Sequence, residues 1–458
     1  MKTKIGWTLL GPVQRGRCTD TKSIRRITVQ ELDWDLNANF SREFNDGPIG
    51  EEIQWSREEE EFMKNLSETT TFDGGRYHVG VPLKNPLPPV IPDSRPMAQK
   101  RLVGVQKRSR RDSTYDTAYK DEMDDLKRKI YVERVPEAEL DIPDRWYLPH
   151  HGVFSKKKNS KMRIVFDGAA EIHGVSLNSL CKKGPDLTNR LDGILLRFRE
   201  LPVAVSSDIQ AMYHQIVVPI ADRNWYRFLL ADEEGATQDW RWTVHHFGSK
   251  PSPSVACHAL KCGLESQGNP ENRAISIAAQ RAFYVDDNLD SYADCQEGVV
   301  AVEAVDQTCI QSGFKKRKYA SNCPEVLQGI PPERRAKVEA EVSLTNDAGD
   351  EQPTLGMNWR LESDQLVYRA PEMKDVKTRR EVLSNMTKLF DPLGLVSPWI
   401  LNCRMIVQSL CKLKLSWDEQ IPEEYLKLWT NWQKGTDAIT KIEFERCITS
   451  YTYDSEAT

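Results

Sequence analysis

The distribution of apolar and polar residues predicts a change of structure along the chain. Residues 14–140 are mostly polar, and their acidic clusters and proline-rich stretch favour a partly disordered connector with short helices over an independent core. From Trp146 onward, short apolar runs separated by turns predict strands. Apolar residues at helical spacing predict helices at 189–199, 297–313 and 378–390, and Ser397-Pro398 predicts the start of another.

One apolar run ends in a pair of acids. Residues 282–285 lead into Asp286 and Asp287, and the turn-forming Asn288 follows. This pattern predicts a β-hairpin with carboxylates at its tip. Two neighbouring like charges are tolerated in solvent or when they share a cation. The pair is therefore either part of a solvated loop or a metal anchor.

A third acid stands at the end of another predicted strand. Asp208 follows the apolar run 201–207, and apolar residues then recur at near-helical spacing. A hard cation such as Mg²⁺ takes carboxylate oxygens as ligands. A carboxylate at a strand end, beside a hairpin that carries two more, is the arrangement used for two-metal nucleotidyl transfer. Asp208, Asp286 and Asp287 are thus a candidate metal site.

Several strings of residues resemble motifs of one family. Tyr284-Val285-Asp286-Asp287 resembles the catalytic box of reverse transcriptases, and Asp208 followed by Tyr213 resembles their first catalytic motif. The segment 247–253, with Gly248, Ser252 and Pro253, is similar to their template- and primer-contacting segment. More specifically, the strings that occur in family order and resemble the BEL/Pao class of LTR retrotransposon polyproteins are 146–153, 163–167 and 390–395.

The resemblance implies an α+β fold, namely a right-hand polymerase with an antiparallel palm sheet, a fingers hairpin and a helical thumb-like region. The regions that it implies are the end of a retropepsin-like domain at 1–13, a connector at 14–140, fingers and palm at 141–365, a thumb-like Pao-type region at 366–435 and a truncated tail at 436–458.

The implied function is RNA-directed DNA polymerisation. Asp208, Asp286 and Asp287 would be the catalytic residues and would hold two Mg²⁺ ions, with Mn²⁺ as an alternative metal. The implied partners are an RNA or DNA template with its primer and deoxynucleoside triphosphates. The other expectation is a truncated, catalytically inactive remnant that at most binds nucleic acid. The intact acids and Tyr213 argue against deep decay.

The resemblance also implies roles for residues outside the acidic site. Arg163, with Lys161 as a helper, would bind the triphosphate from a hairpin whose basic turn is 156–161. Tyr213 would stack beneath the incoming sugar and exclude a 2′-hydroxyl, or it is simply an aromatic residue of the core. A lysine in the basic strand 314–322 would lie near the pyrophosphate, and Lys316 and Lys318 both qualify. Tyr284, Leu355 and Gly356 would also contact the primer or the template.

Composition limits the remaining possibilities. The 458 residues carry a net charge of −5, so any affinity for nucleic acid must come from local basic patches. One basic run, at 100–111, either meets phosphates or is a solvated helix face.

The motifs that are missing exclude other classes of protein. The ten cysteines form no CxxC, so neither a zinc site nor a disulfide framework is expected. We expect instead that the protein resides in a reducing intracellular compartment. No signal peptide, membrane span or membrane partner is predicted. Asp-Thr-Gly and Asp-Ser-Gly are absent, which disfavours an aspartic peptidase. No ribonuclease H signature is expected before the chain ends.

Overall fold

The computed structural model describes residues 55–154, 162–336 and 357–449, together with short backbone segments at 2–3, 6–7 and 341–343. The chain divides into two compact units, Met1–Trp55 and Ser56–Thr458. In the first, Lys2–Thr3 (β1) pairs antiparallel with Gly6–Trp7 (β2). The rest of the expected end of a retropepsin-like domain, residues 1–13, lies outside the described residues.

The second unit begins with three helices and a small hairpin. The helices are Arg57–Thr69 (α1), Arg95–Arg111 (α2) and Ser113–Arg128 (α3), and the hairpin strands are Thr71–Asp73 (β3) and Arg76–His78 (β4). Ser56 and Glu59 form a reciprocal capping box at the start of α1. The side chain of Asp112 caps α3 by accepting a hydrogen bond from the Tyr115 amide.

These helices differ from the expected connector, because they supply residues to the main cores. Phe62 and Leu66 of α1 are fully buried in a cluster that also contains Ile209 and Tyr213. Tyr115 and Tyr119 of α3 are buried with residues of several later strands. The buried positions recur every three or four residues among charged ones. Average composition therefore conceals the apolar stripe, and the partners that bury it lie far away in the sequence.

The next elements include the predicted fingers-type hairpin. They are Val132–Arg134 (β5), His150–Phe154 (β6), Met162–Phe166 (β7), Leu177–Leu180 (α4) and Leu191–Phe198 (α5). Strands β6 and β7 pair antiparallel, with His150 opposite Phe166 and Phe154 opposite Met162. The basic turn 155–161 between them lies outside the described residues. The predicted helix around residue 194 is confirmed as α5, whose buried residues are Ile194, Leu195 and Phe198.

Two antiparallel sheets occupy the middle of the chain. Their elements and connecting helices are Val203–Ile209 (β8), Arg227–Ala231 (β9), Thr237–Trp242 (β10), Ser252–Ser266 (α6), Arg273–Ala279 (α7), Phe283–Tyr284 (β11), Asp287–Tyr292 (β12), Cys295–Gln311 (α8), Lys316–Ser321 (β13) and Pro324–Gln328 (α9). One sheet has the strand order β5-β10-β9. The other has the order β11-β12-β8-β13, with β8 in its interior. The second sheet and the turn between β11 and β12 together hold all three predicted catalytic acids.

The C-terminal part combines a third sheet with a helical layer. Its elements are Glu341–Ser343 (β14), Met357–Arg360 (β15), Gln365–Tyr368 (β16), Arg379–Met386 (α10), Ser397–Lys412 (α11), Glu423–Gln433 (α12), Thr436–Ile439 (α13) and Glu443–Glu445 (β17), and the strand order is β14-β15-β16-β17. The buried guanidinium of Arg446 joins this sheet to the segment before β8, since it donates to the carbonyls of Phe198 and Pro202. Helices α10 and α11 confirm the two predicted there. Ile406 of α11 is buried, whereas Leu413, directly after the helix, is 41% exposed.

A disulfide corrects the expectation from the cysteines. Cys295, at the start of α8, is bonded to Cys323, which follows β13. Strands β12 and β13 are both antiparallel to β8, so they run in the same direction and end at the same side of the sheet. The pair is 28 residues apart in sequence and shares no short motif, which is why spacing alone did not indicate it.

Across the described residues, the structure is thus mixed α/β, with several small antiparallel sheets and thirteen helices. None of the described helices is both long and apolar enough to cross a lipid bilayer.

The burial of α1 makes a stability prediction. Leu66→Ala should lower the free energy of unfolding by about 2–5 kcal/mol, because it empties a fully enclosed site. Lys64→Ala, on the exposed side of the same helix, should change it by less than about 0.5 kcal/mol. Urea denaturation measures both. Equal, negligible effects would show that α1 does not belong to the core.

Candidate active site

Two predicted acids face each other on neighbouring strands. All seven residues of β8 are buried, as expected for an interior strand rich in valine and small side chains. Asp208 lies at its sixth position, directly opposite Asp287, the first residue of β12. Asp286 occupies the two-residue turn between β11 and β12. Residues far apart in sequence therefore meet at one edge of the sheet.

The turn that carries Asp286 is strained. Its first residue, Val285, has a φ of +53°, a left-handed conformation that β-branched residues rarely adopt. Such a residue costs about 1–3 kcal/mol and persists only where its surroundings impose it. One such restraint is the hydrogen bond from the Ile209 amide to the carbonyl of Asp286, 2.8 Å long. The turn is thus held to the end of β8.

The electrostatic environment of Asp286 disfavours its charged form. Burial raises the pKa of its carboxyl above the ordinary value, and the neighbouring charge of Asp208 raises it further. Lys318 and Arg317 act in the opposite direction. A bound cation would favour the ionised carboxylate in the same way.

Asp208 forms ion pairs with two basic residues of β13. The Arg317 Nε lies 3.0 Å from one carboxylate oxygen, and the Lys318 Nζ lies 2.7 Å from the other. The pairing of β13 with β8 is irregular between Arg317 and Ala320, and Lys318 has a φ of +54°. This bulge brings two consecutive side chains to the same carboxylate, which a regular strand would not do.

The two candidate lysines have different environments. Lys316 is buried, its Nζ donates to the Asn288 Oδ1 at 2.8 Å, and burial lowers its pKa. Its ammonium also lies near the rings of Phe283 and Tyr319. The side chain of Lys318 is 52% exposed beside Asp208. Of the two, Lys318 is the one accessible to a ligand at the acidic edge.

Arg317 is a site residue that the sequence analysis did not single out. It adjoins two candidate lysines in a basic strand, so the run itself offered no reason to prefer it. Ideal alternation would also place Lys316 and Lys318 on one face and Arg317 on the other. Only the bulge reveals that Arg317 and Lys318 share Asp208.

Tyr213 lies close to the acids. It belongs to a short 3₁₀ helix, Met212–Gln215, which begins after Ala211 in a left-handed conformation with a φ of +48°. Its ring is 9% exposed and packs edge-on against Phe247, with the ring centroids 4.4 Å apart. Burial raises the pKa of its hydroxyl, and the Cys257 thiol and the Asp286 carboxylate contribute in the same direction.

The predicted primer and template segment packs against β7. Gly248 has a φ of +100°, and a Cβ atom there would lie 2.3 Å from the Phe166 carbonyl oxygen. A glycine is therefore required by the backbone of the protein itself. Ser252 is buried and its hydroxyl donates to the His246 carbonyl, while Pro253 lies in the first turn of α6. The segment is therefore fixed in place by contacts within the protein.

Of the other predicted site residues, one is separate from the acids, one adjoins them and three are not described. Arg163 is exposed on β7, in a different sheet from the acids. Tyr284 is half-buried on β11 and pairs with Asp287. Lys161, Leu355 and Gly356 lie outside the described residues.

The donor set at this edge fits a hard divalent cation. It consists of the carboxylates of Asp208, Asp286 and Asp287, and such cations take oxygen ligands. The three do not all approach within 4.8 Å of one another. Within the described part of the chain, the only His, Cys, Asp or Glu group that does so is Cys295, Cys323 and Glu325, and its two cysteines are bonded to each other.

A family comparison identifies one region of the chain. Residues 378–458 match the family model described as Pao retrotransposon-like RNaseH-like domain. No curated protein sequence matches the chain. The match supports a Pao-type retrotransposon polyprotein, a nuclease or polymerase type of enzyme family, and nucleic-acid binding in general. RNaseH-like domains generally use divalent metal ions.

The match also corrects one expectation. No ribonuclease H signature was expected, yet the matched family is described as RNaseH-like and the match covers α10 to α13 and β17. The expectation rested on the lack of an acidic tetrad in this part of the sequence. The match instead extends over helices whose pattern is mainly that of a packed layer, in which Cys403, Leu410 and Trp429 are buried.

The ion pair of Lys318 makes a binding prediction. Lys318→Gln should tighten Mn²⁺ binding by about two- to fivefold, because it removes a cation that competes for Asp208 through a partly exposed pair. Electron paramagnetic resonance of free Mn²⁺ measures the affinity without nucleotide. Lys315→Gln removes the same charge from an exposed neighbour and is the control. Unchanged or weaker Mn²⁺ binding by Lys318→Gln would contradict this competition.

Proposed function

We propose that this chain carries the RNA-directed DNA polymerase, or reverse transcriptase, region of a retrotransposon polyprotein. The observation that carries the proposal is the direct pairing of Asp208 with Asp287 across β8 and β12, with Asp286 in the adjoining turn. Three carboxylates from two distant segments thereby lie at the same end of the sheet. A divalent-metal site for nucleotidyl transfer needs carboxylates placed in the same region of the fold.

In this proposal the three aspartates hold two Mg²⁺ ions, for which Mn²⁺ can substitute. Bound ions of this kind activate a primer 3′-hydroxyl and neutralise the leaving pyrophosphate. The protein contributes the fixed positions of the acids. The hydrogen bond from the Ile209 amide holds Asp286 in position, and burial on β12 holds Asp287. Preorganised acids of this kind lose little free energy to reorganisation during the reaction.

The basic residues around the site have distinct proposed tasks. Lys318 exchanges its contact with Asp208 for one with the triphosphate of the incoming nucleotide, because its exposed side chain can move. Arg317 neutralises Asp208 from β13. Arg163 acts from the β6–β7 hairpin and binds the triphosphate there, with Lys161 as its helper. Lys316, through Asn288, supports the strand that carries Asp287.

Tyr213 is the proposed residue for sugar selection. Its ring is held edge-on by Phe247, and the Asp286 carboxylate contributes to the raised pKa of its hydroxyl, which keeps that hydroxyl neutral. A rigid ring beside the acids would occupy the space that a 2′-hydroxyl needs. Primer and template contacts are assigned to the segment with Gly248, Ser252 and Pro253 and, further along the chain, to Tyr284, Leu355 and Gly356.

One observation favours a second possibility, a catalytically inactive remnant that at most binds nucleic acid. Asp208 is engaged by both Arg317 and Lys318, so two cations already neutralise it. If neither contact can be exchanged, the site cannot take up divalent ions. The two proposals share nucleic-acid binding and differ in nucleotide addition.

Primer extension distinguishes them. With an RNA template, a DNA primer, Mg²⁺ and four deoxynucleotides, the wild type should extend the primer, and Asp286→Asn should reduce the rate by about 10²–10³-fold through lost electrostatic stabilisation. Asp290→Asn, the same change further along β12, is the matched control and should extend normally. No extension by a folded wild type that binds primer–template would support the inactive remnant instead.

The sugar-selection role makes a separate prediction. Tyr213→Val should raise the relative use of ribonucleotides by about 10- to 200-fold, the range expected when a steric contact in a pocket is lost. Tyr213→Phe keeps the ring and should retain discrimination against ribonucleotides. Competition between ribo- and deoxynucleotides in single-nucleotide addition measures the ratio. Equal discrimination by the valine variant and the wild type would assign Tyr213 to the core alone.

A further inference from the structure

Helix α2 has an unusual charge for an acidic protein. The chain has a net charge of −5, but the 17 residues of α2 include no acid. Its basic residues are Arg95, Lys100, Arg101, Lys107, Arg108, Arg110 and Arg111. The buried residues of the helix are Ala98, Leu102 and Val105. One narrow stripe therefore fixes the helix to the protein, and the rest of its surface carries positive charge.

Six of these basic residues form one exposed surface. Every side chain of the set is exposed; they are Lys100, Arg101, Lys107, Arg108, Arg110 and Arg111. Helical spacing places Lys100, Lys107, Arg110 and Arg111 within the half of the helix opposite the buried stripe, and Arg101 and Arg108 along its flank. We name this set the α2 basic face. From Lys100 to Arg111 it extends about 16 Å along the helix axis. That length suits several consecutive phosphates of one strand.

A glycine lies in the middle of this face. Gly104 is exposed in the interior of α2, and a Cβ atom there would meet nothing within 4 Å. Glycine is a poor helix former, and nothing inside the protein requires it at this position. Without a side chain, the helix backbone between Lys100 and Lys107 stays open to close approach by a ligand. Met97, Lys100, Arg101, Gly104 and Pro149 line a shallow groove at this point.

Neighbouring acids leave most of the face unneutralised. Helix α3 is rich in aspartate, but its ion pairs include Lys120 with Asp116 and Lys127 with Asp124, both within the helix. On the α2 basic face, Arg101 lies 3.9 Å from Asp167, and Arg108 lies over the Tyr115 ring. No ion pair of the described residues involves the other four. Of these four, Arg110 lines a cavity that also contains Asp116, Asp124 and Glu233, which leaves Lys100, Lys107 and Arg111 as the uncompensated charges. Concentrated positive charge of this kind binds polyanions.

The position of α2 relates the face to the proposed polymerase. The helix packs against β6, one strand of the hairpin that carries Arg163, and against β9. Pro149 of the groove directly precedes β6. The face and the hairpin are therefore parts of the same surface region, on a different sheet from the acids.

We propose that the α2 basic face binds the phosphate backbone of the unpaired template RNA. The assignment to the template strand rests on the proposed polymerase function, whereas the phosphate chemistry rests on the face itself. Lys100, Lys107 and Arg111 bind successive phosphates, and Gly104 lets the strand approach the helix. Such contacts are independent of base sequence and sensitive to salt.

Fluorescence anisotropy with labelled nucleic acid tests the proposal. The probes are a DNA primer on an RNA template with a long unpaired 5′ extension and the same duplex with blunt ends. Lys107→Gln combined with Arg111→Gln should weaken binding of the extended probe about tenfold and lower its salt slope by about 1.4, or 0.7 for each lost phosphate contact. The blunt probe should bind almost as it does to the wild type.

Matched variants keep the result specific. Lys261→Gln combined with Arg273→Gln removes the same charge from α6 and α7 and should leave both affinities unchanged. Gly104→Glu should weaken binding of the extended probe as the double variant does. Gly104→Ala adds no charge and should weaken that binding much less. Circular dichroism confirms folding of each variant.

Failure of this proposal differs from failure of the proposed function. The assignment to unpaired template is overturned if the α2 variants bind the extended probe like the wild type, or if their affinity for the blunt probe falls by the same factor. This holds even when the wild type extends primers. If the wild type binds the extended probe through α2 but adds no nucleotide, the phosphate-binding face stands and the polymerase proposal fails.

Discussion

The repulsion among three neighbouring carboxylates is the constraint on which the site depends. Asp208 and Asp287 are direct partners on adjacent buried strands, Asp286 lies in the next turn, and the charge of Asp208 raises the pKa of Asp286. Such a concentration of like charge at a sheet edge requires positive charge nearby. Arg317 and Lys318 provide it in this structure, through a bulge that brings both to Asp208.

The parts around the acids can be understood from this constraint. The strained Val285 and the hydrogen bond to Ile209 hold the turn in place, so the acids cannot move apart to relieve the repulsion. Lys316 stabilises the hairpin from inside through Asn288, and in the proposed function the exposed Lys318 leaves Asp208 when another cation takes its place. A rigid acidic edge with an exchangeable counter-charge suits a metal-dependent nucleotidyl transferase better than a purely structural ion pair.

Local patterns in the sequence predicted much of this arrangement. The acid-bearing hairpin, the strand ending near Asp208, and helices α5, α8, α10 and α11 follow from short-range periodicity and turn residues. Features that depend on distant partners were missed. Helices α1 to α3 gain their core only from strands far along the chain, the bulge that separates Lys316 from Lys318 has no sequence marker, and the Cys295–Cys323 bond depends on the parallel course of β12 and β13.

Anomalous X-ray scattering from crystals grown with Mn²⁺, primer–template and a non-hydrolysable deoxynucleotide would test whether the three aspartates bind metal. If they do, we expect an anomalous peak within about 2.0–2.2 Å of carboxylate oxygens of both Asp208 and Asp287, with the Lys318 ammonium displaced from Asp208. Bound nucleic acid without such a peak, and with Arg317 and Lys318 still paired to Asp208, would contradict metal binding by these aspartates.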